Sequence, residues 1–119
     1  MPNPFGAPEL SVQDVAQRQK AGASFVWLDV REPNEFDAVS IDDEAIHFVP
    51  LSQLAQAQTA ALPEAATDQD AEIVVFCHHG VRSAQVVAWL RQEGWTNAFS
   101  MAGGIDAWAR EIDPSVGTY

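Results

Sequence analysis

Two apolar runs in the chain are unbroken. Phe25-Val26-Trp27-Leu28 leads into Asp29, and Ile73-Val74-Val75-Phe76-Cys77 follows Glu72. Short runs without alternation suit strands covered on both faces, as in a parallel sheet. His47-Phe48-Val49-Pro50 and Ala98-Phe99-Ser100-Met101 read as two shorter strands. The first of these belongs near an edge, because Pro50 cannot donate to a ladder. Helical spacing fills the intervals between them. Ser11, with Asp14 three residues on, predicts the N-cap of a helix that runs to about Lys20 and stops at Gly22, with Val12, Val15 and Ala16 buried. Pro33 and Asn34 predict a break, followed by a helical turn over about 35–39. Residues 40–46 and 64–71 read as acidic loops. Ser52 predicts the cap of an Ala/Gln-rich helix ending near Leu62. Ser83 predicts the start of a helix that buries Ala84, Val86, Val87 and Leu90 and closes at Gly94. Gly103-Gly104 leads into a last helix carrying Ile105, Trp108 and Ala109. Residues 1–8 and the tail from Asp113 read as irregular and loose.

Strands thus alternate with helices over brief connections, the pattern of an α/β domain with a parallel sheet and helices on both faces. The 119 residues suit one domain over 1–119, with a core over about 8–112. An apolar share of 47%, four Trp included, excludes a disordered chain. The formal net charge of −11 argues against nucleic acid and anionic lipid as partners. The stretch MPNPFGAPELSVQD lacks the basic and apolar regions of a signal peptide, and no apolar run is long enough to span a membrane. The expected setting is cytoplasmic. A lone cysteine excludes an internal disulfide and a structural zinc built on a Cys cluster. The Trp residues at 27, 89, 95 and 108 read as core and rim packing.

Ligands of open parallel sheets sit at the carboxyl ends of the strands. Asp29 and Arg31, Cys77, and residues 101–104 all fall there. Cys77 precedes a tight loop containing Gly80 and then a helix start, where free N–H groups and the helix dipole favour an anion. Such a cup suits a nucleophilic thiolate. The alternative is an inert buried thiol closing a core strand. Arg82 adds a fixed positive charge at the rim, which would favour an anionic donor. His78 and His79 supply backbone amides and partly exposed rings. A Cys-His-His metal site is the lesser alternative, since neighbours on so tight a loop rarely converge on one ion. Asp29 and Arg31 read as a structural pair tying down the strand end.

The spacing Cys77-x4-Arg82-Ser83 resembles the active-site loop of the rhodanese family of sulfurtransferases. Tyrosine phosphatases use a Cys-x5-Arg loop, one residue longer, which holds a whole phosphate group. Asp29-Val30-Arg31-Glu32-Pro33-Asn34-Glu35-Phe36 resembles the family's D-V-R-x-x-x-E-[FY] signature, and Met101-Ala102-Gly103-Gly104-Ile105-Asp106-Ala107-Trp108 its M-x-G-G-x-x-x-W signature. The family's G-H-I-x-G-A stretch is replaced here by Ser40-Ile41-Asp42-Asp43-Glu44-Ala45-Ile46-His47. The resemblance implies a three-layer α/β fold around a parallel sheet of about five strands. It implies sulfur transfer from thiosulfate or a similar donor, through a persulfide on Cys77, to cyanide, a thiol or a protein acceptor. The loop amides of His78, His79, Gly80, Val81, Arg82 and Ser83 would bind the substrate, with Asp29 and Arg31 in support and no metal or organic cofactor. Two rival classes remain: a non-catalytic rhodanese-like binding module, and a phosphatase or arsenate reductase on the same scaffold.

Overall fold

The computed structural model describes residues 3–22 and 24–119. Met1 and Pro2, in the expected irregular lead-in, and Ala23 lie outside the described residues. Five strands form one parallel sheet: β1 (Glu9–Leu10), β2 (Val26–Asp29), β3 (Ile46–Phe48), β4 (Ile73–Phe76) and β5 (Ala98–Met101), in the order β1-β5-β4-β2-β3. Every residue of β2 and β4 is buried, as their unbroken apolar runs require. The sheet lies between two helical layers. Leu28, Ile73, Val75 and Cys77 face α3 (Leu51–Ala57) and α4 (Val81–Gln92), meeting Leu54, Ala84, Val87 and Leu90. Trp27, Val74, Phe76 and Met101 face α1 (Val12–Lys20) and α5 (Gly104–Glu111), meeting Val12, Val15, Ile105 and Trp108. The alternation of side chains along each strand sorts the two cores. A fifth helix, α2 (Pro33–Ala38), sits beyond the carboxyl end of β2 and buries no side chain.

Five local expectations are corrected. The fifth strand is β1, which lies between the lead-in read over residues 1–8 and the helix cap at Ser11, where no element was expected. It is only two residues long, paired with Ser100 and Met101. Pro33 does not break the chain but opens α2, where its missing N–H costs nothing and its fixed φ suits the first turn. Ser52 does not cap α3. The helix starts two residues earlier than a Ser52 cap implies, after Pro50, and the Ser52 hydroxyl donates to Glu32 Oε1 at 2.6 Å. That helix ends at Ala57, and a 3₁₀ turn, Gln58–Ala61, carries the chain on to Leu62. The helix after the cysteine starts at Val81 and not at Ser83, because Gly80 turns the chain at φ +100°. The segment from Asp113 is ordered: Asp113 caps a 3₁₀ turn, Pro114–Val116, and Val116 packs on the α1/α5 core.

Two departures concern loops. Where the Gly-His stretch is replaced, Asp43 makes the turn into β3 by itself. Its carboxylate accepts from the Ala45 N–H at 2.8 Å, and its carbonyl accepts from Ile46 at 3.1 Å. In the acidic stretch 64–71, a short 3₁₀ turn buries Ala66, whose carbonyl accepts from Trp95 Nε1 at 2.7 Å. Among the described residues no helix is long and apolar enough to cross a membrane.

Candidate active site

β4 carries the chain to the middle of the sheet's carboxyl edge and delivers Cys77 there, 1% exposed. Its sulfur is ringed by donors. The Gly80 N–H points at Sγ from 3.1 Å and the Ser83 N–H from 3.4 Å, and Ser83 Oγ lies 3.4 Å away. Ser83 Oγ is also 2.8 Å from Ser100 Oγ on β5, and both serines are fully buried. The Cys77 thiol donates to Ser83 Oγ, and once the sulfur is a thiolate the Ser83 hydroxyl donates back to it while accepting from Ser100. This is an anion cup built from backbone and hydroxyl dipoles at a helix start.

The cup is seated from behind by α5. The Ile105 N–H donates to the Cys77 carbonyl at 2.8 Å, and the Asp106 N–H to that of His78 at 3.1 Å. Both carbonyls therefore point at the start of α5, while the amides of Gly80 and Ser83 turn to the sulfur. A Cβ on Gly104, which sits at φ +62°, would meet the Cys77 carbonyl oxygen below hydrogen-bonding distance. Only glycine admits so close a backbone approach in that conformation.

The charge at the rim is not free. Arg82 Nη2 donates to Glu35 Oε2 at 2.8 Å, while Nη1 donates to Oε1 at 2.5 Å, a bidentate pair between α4 and α2. The guanidinium holds the Glu35 carboxyl well down, at about 2, and burial opposes that shift. Glu35 therefore stays ionised at any working pH, and the pair presents no net charge. Tyr119 donates its hydroxyl to Glu35 Oε2 at 2.8 Å. Its ring stacks on His78 with centroids 3.8 Å apart, and His78 stacks in turn on the exposed His79, also at 3.8 Å. Burial, with the neighbouring His79 charge adding to it, holds the His78 imidazole below its ordinary value.

Asp29 and Arg31 are both buried, with Arg31 Nη2 donating to Asp29 Oδ2 at 2.8 Å. Arg31 Nη1 also donates to the carbonyls of Val39 at 2.8 Å and Glu35 at 3.2 Å. The pair thus straps α2 to the end of β2 and so positions Glu35. His78, His79 and Asp106 bring one ligand atom each within 4.8 Å of one another. Cys77 is outside that group, and Asp106 is already engaged by Arg110 Nε at 3.0 Å.

A buried cysteine in a short amide cup, seated by a Gly-Gly helix start and paired across the rim to an E-F motif, defines the site. A model of the rhodanese-like domain matches residues 11–111. The chain belongs to the rhodanese-like family. Thiosulfate sulfurtransferase GlpE of Haemophilus influenzae is 35% identical over 111 residues, covering 93% of this chain and 96% of that one. The probable adenylyltransferase/sulfurtransferase MoeZ of Mycobacterium tuberculosis is 35% identical over 100 residues, 83% of this chain, but the match spans only 24% of MoeZ. Among solved structures, human single-domain sulfurtransferase TSTD1 superposes with a TM-score of 0.72 at 27% identity, covering 89% of this chain and 98% of that one. All three of these relatives are named sulfurtransferases, and the chain spans about a quarter of MoeZ's length.

For a rhodanese-like chain, the sequence expectations about the loop divide by distance. Among the residues expected to bind substrate, Gly80 and Ser83 reach the sulfur, whereas the His78 and His79 rings stack on each other, Val81 is exposed and Arg82 faces Glu35. Four residues of the site were not assigned a role from sequence: Glu35, Ser100, Gly104 and Tyr119. Glu35 and Gly104 stand inside the quoted family signatures, where their fixed places were the available signal. Ser100 sits in a short strand and Tyr119 in the tail, where no pattern marks them.

Proposed function

We propose that the chain is a thiosulfate sulfurtransferase of rhodanese type working through a Cys77 persulfide. The Cys77 thiolate attacks the outer sulfur of thiosulfate. A sulfur–sulfur bond to Cys77 forms, the donor's own sulfur–sulfur bond breaks, and sulfite leaves with the bonding pair. Cyanide, a thiol or a protein acceptor then attacks the outer persulfide sulfur and returns Cys77 as thiolate. In the cyanide case the product is thiocyanate. The observation that carries this reading is the ring of donors on Sγ from Gly80 and Ser83. Those donors stabilise a sulfur anion before and after transfer without moving. The orientation of Arg82 supports it against phosphoryl chemistry, because the guanidinium faces Glu35 and not the cup. Neither step calls for a metal or an organic cofactor. We propose no nucleic-acid or membrane partner, and a cytoplasmic setting. The test is thiocyanate formation from thiosulfate and cyanide, with an aryl phosphate as the alternative substrate. Turnover of the phosphate without thiocyanate would replace this reading with a phosphatase.

The Glu35 pair changes what Arg82 is expected to do. Arg82→Ala leaves a carboxylate unpaired at the mouth, where it repels a dianionic donor. Its kcat/KM for thiosulfate should fall about tenfold, about 1.4 kcal/mol. Adding Glu35→Gln should recover most of that loss. A double variant as poor as Arg82→Ala would instead show that the guanidinium itself touches the donor.

A further inference from the structure

We propose that Ser100, a strand residue outside the loop, is a positioning residue for Cys77: acting through Ser83, it holds a hydroxyl donor on Sγ and so favours the thiolate. The proposal deepens the sulfur-transfer reading and rests on it for its consequence in turnover.

A hydroxyl is out of place in the middle of β5. Ser100 is fully buried there beside Ala98 and Met101, which are apolar. Burying a hydroxyl costs stability unless it is hydrogen-bonded. The partner of this one is Ser83 Oγ, 2.8 Å away, and that oxygen lies 3.4 Å from Cys77 Sγ. Ser100, Ser83 and Cys77 thus form a row, drawn from β5, the first turn of α4 and the end of β4.

The direction of the row decides its effect. A helix serine has a competing partner in the carbonyl one turn back. With Ser100 donating to its oxygen, Ser83 turns its own proton to the sulfur, and the two O–H dipoles align on the anion. A thiolate gains more from this alignment than a thiol, which is itself a donor to Ser83. The backbone of Ser100 is held on both sides. Its N–H donates to the Pro8 carbonyl at 2.9 Å, and it is in register with Glu9 on β1 and with Val75 on β4, two residues before Cys77. A donor fixed in this way needs no reorganisation when the charge forms.

The test sets Ser100→Ala, Ser83→Ala and the double variant beside the wild type at one mildly acidic pH. Thiolate is read from its ultraviolet absorbance, as the difference from Cys77→Ser, and from the rate of alkylation by iodoacetamide. Alkylation should slow about tenfold in Ser83→Ala and about threefold in Ser100→Ala, with the absorbance falling in the same order. The double variant should react like Ser83→Ala, because Ser100 acts only through Ser83. Persulfide formation from thiosulfate should slow in Ser100→Ala by the factor that alkylation does. Absorbance and alkylation unchanged in Ser100→Ala would overturn the proposal. So would a double variant slower than Ser83→Ala by the factor that separates Ser100→Ala from the wild type, or a persulfide rate unchanged where alkylation slows. A series in the expected order with a wild-type chain that takes no sulfur from thiosulfate would instead overturn the sulfur-transfer reading and leave the hold of Ser100 on the thiolate standing.

Discussion

Replacing Cys77 by serine should reduce thiosulfate:cyanide transfer to the uncatalysed background, a loss of at least about a thousandfold. Serine has nearly the same shape and can accept from the same donors, Gly80 N–H and Ser83 N–H. It cannot carry the transferred sulfur, because its hydroxyl is neither ionised nor sulfur-nucleophilic at neutral pH. Sulfur transfer cannot fall back on another thiol, since the chain has a single cysteine. The fold should survive, with unfolding free energy changed by about 1 kcal/mol or less. The two readouts are thiocyanate production and a denaturant titration on the same sample. A folded variant with activity near that of the wild type would remove the nucleophile from the account.

The second large effect is expected far from the sulfur in sequence. In Gly104→Ala the new Cβ meets two backbone carbonyls, those of Cys77 and His78, with a contact of 2.5 Å to the latter oxygen. Backbone cannot swing aside as a long side chain can. The loop must leave the start of α5, and the hydrogen bonds from Ile105 and Asp106 go with it. Strain at φ +62° adds to the clash. The expected cost is about 2–4 kcal/mol of stability, and persulfide formation should slow by at least about tenfold as the amide cup opens. Gly22→Ala is the matched control. Gly22 has a similar φ of +69°, but a Cβ there meets nothing within 4 Å. It should lose about 1 kcal/mol from backbone strain and no activity. Equal losses in both variants would show that the close approach at Gly104 is not what seats the loop.

What the sequence disclosed follows from how each feature is encoded. β2 and β4 are covered on both faces, so their burial is written as unbroken apolar runs, and Cys77 at the end of β4 could be placed at the sheet's carboxyl edge from that alone. β1 is two residues long and is held by two register pairs with β5, too few for any period to show. Pro33 and Ser52 carried local signals that tertiary partners redirected. Proline serves as well to open a helix as to end a run, and the Ser52 hydroxyl had a better partner in Glu32 than its own helix amides. The rim was the least legible part. Glu35 meets Arg82 across 47 positions and Tyr119 across 84, so no spacing rule within either segment announces the contact. Arg82 therefore read as an unpaired cation and the tail as loose. In the fold Asp29 and Arg31 strap α2 to the end of β2, and Glu35 on that helix then takes both Arg82 and the Tyr119 hydroxyl.

The central claim is a persulfide on Cys77, and intact mass reports it directly. The reduced chain is treated with thiosulfate, freed of excess donor and weighed under non-reducing conditions, with Cys77→Ser alongside. A gain of one sulfur atom in the wild type, lost again on adding cyanide and absent in Cys77→Ser, is the predicted result. A wild-type chain that stays at its unmodified mass while folded and reduced would contradict the account.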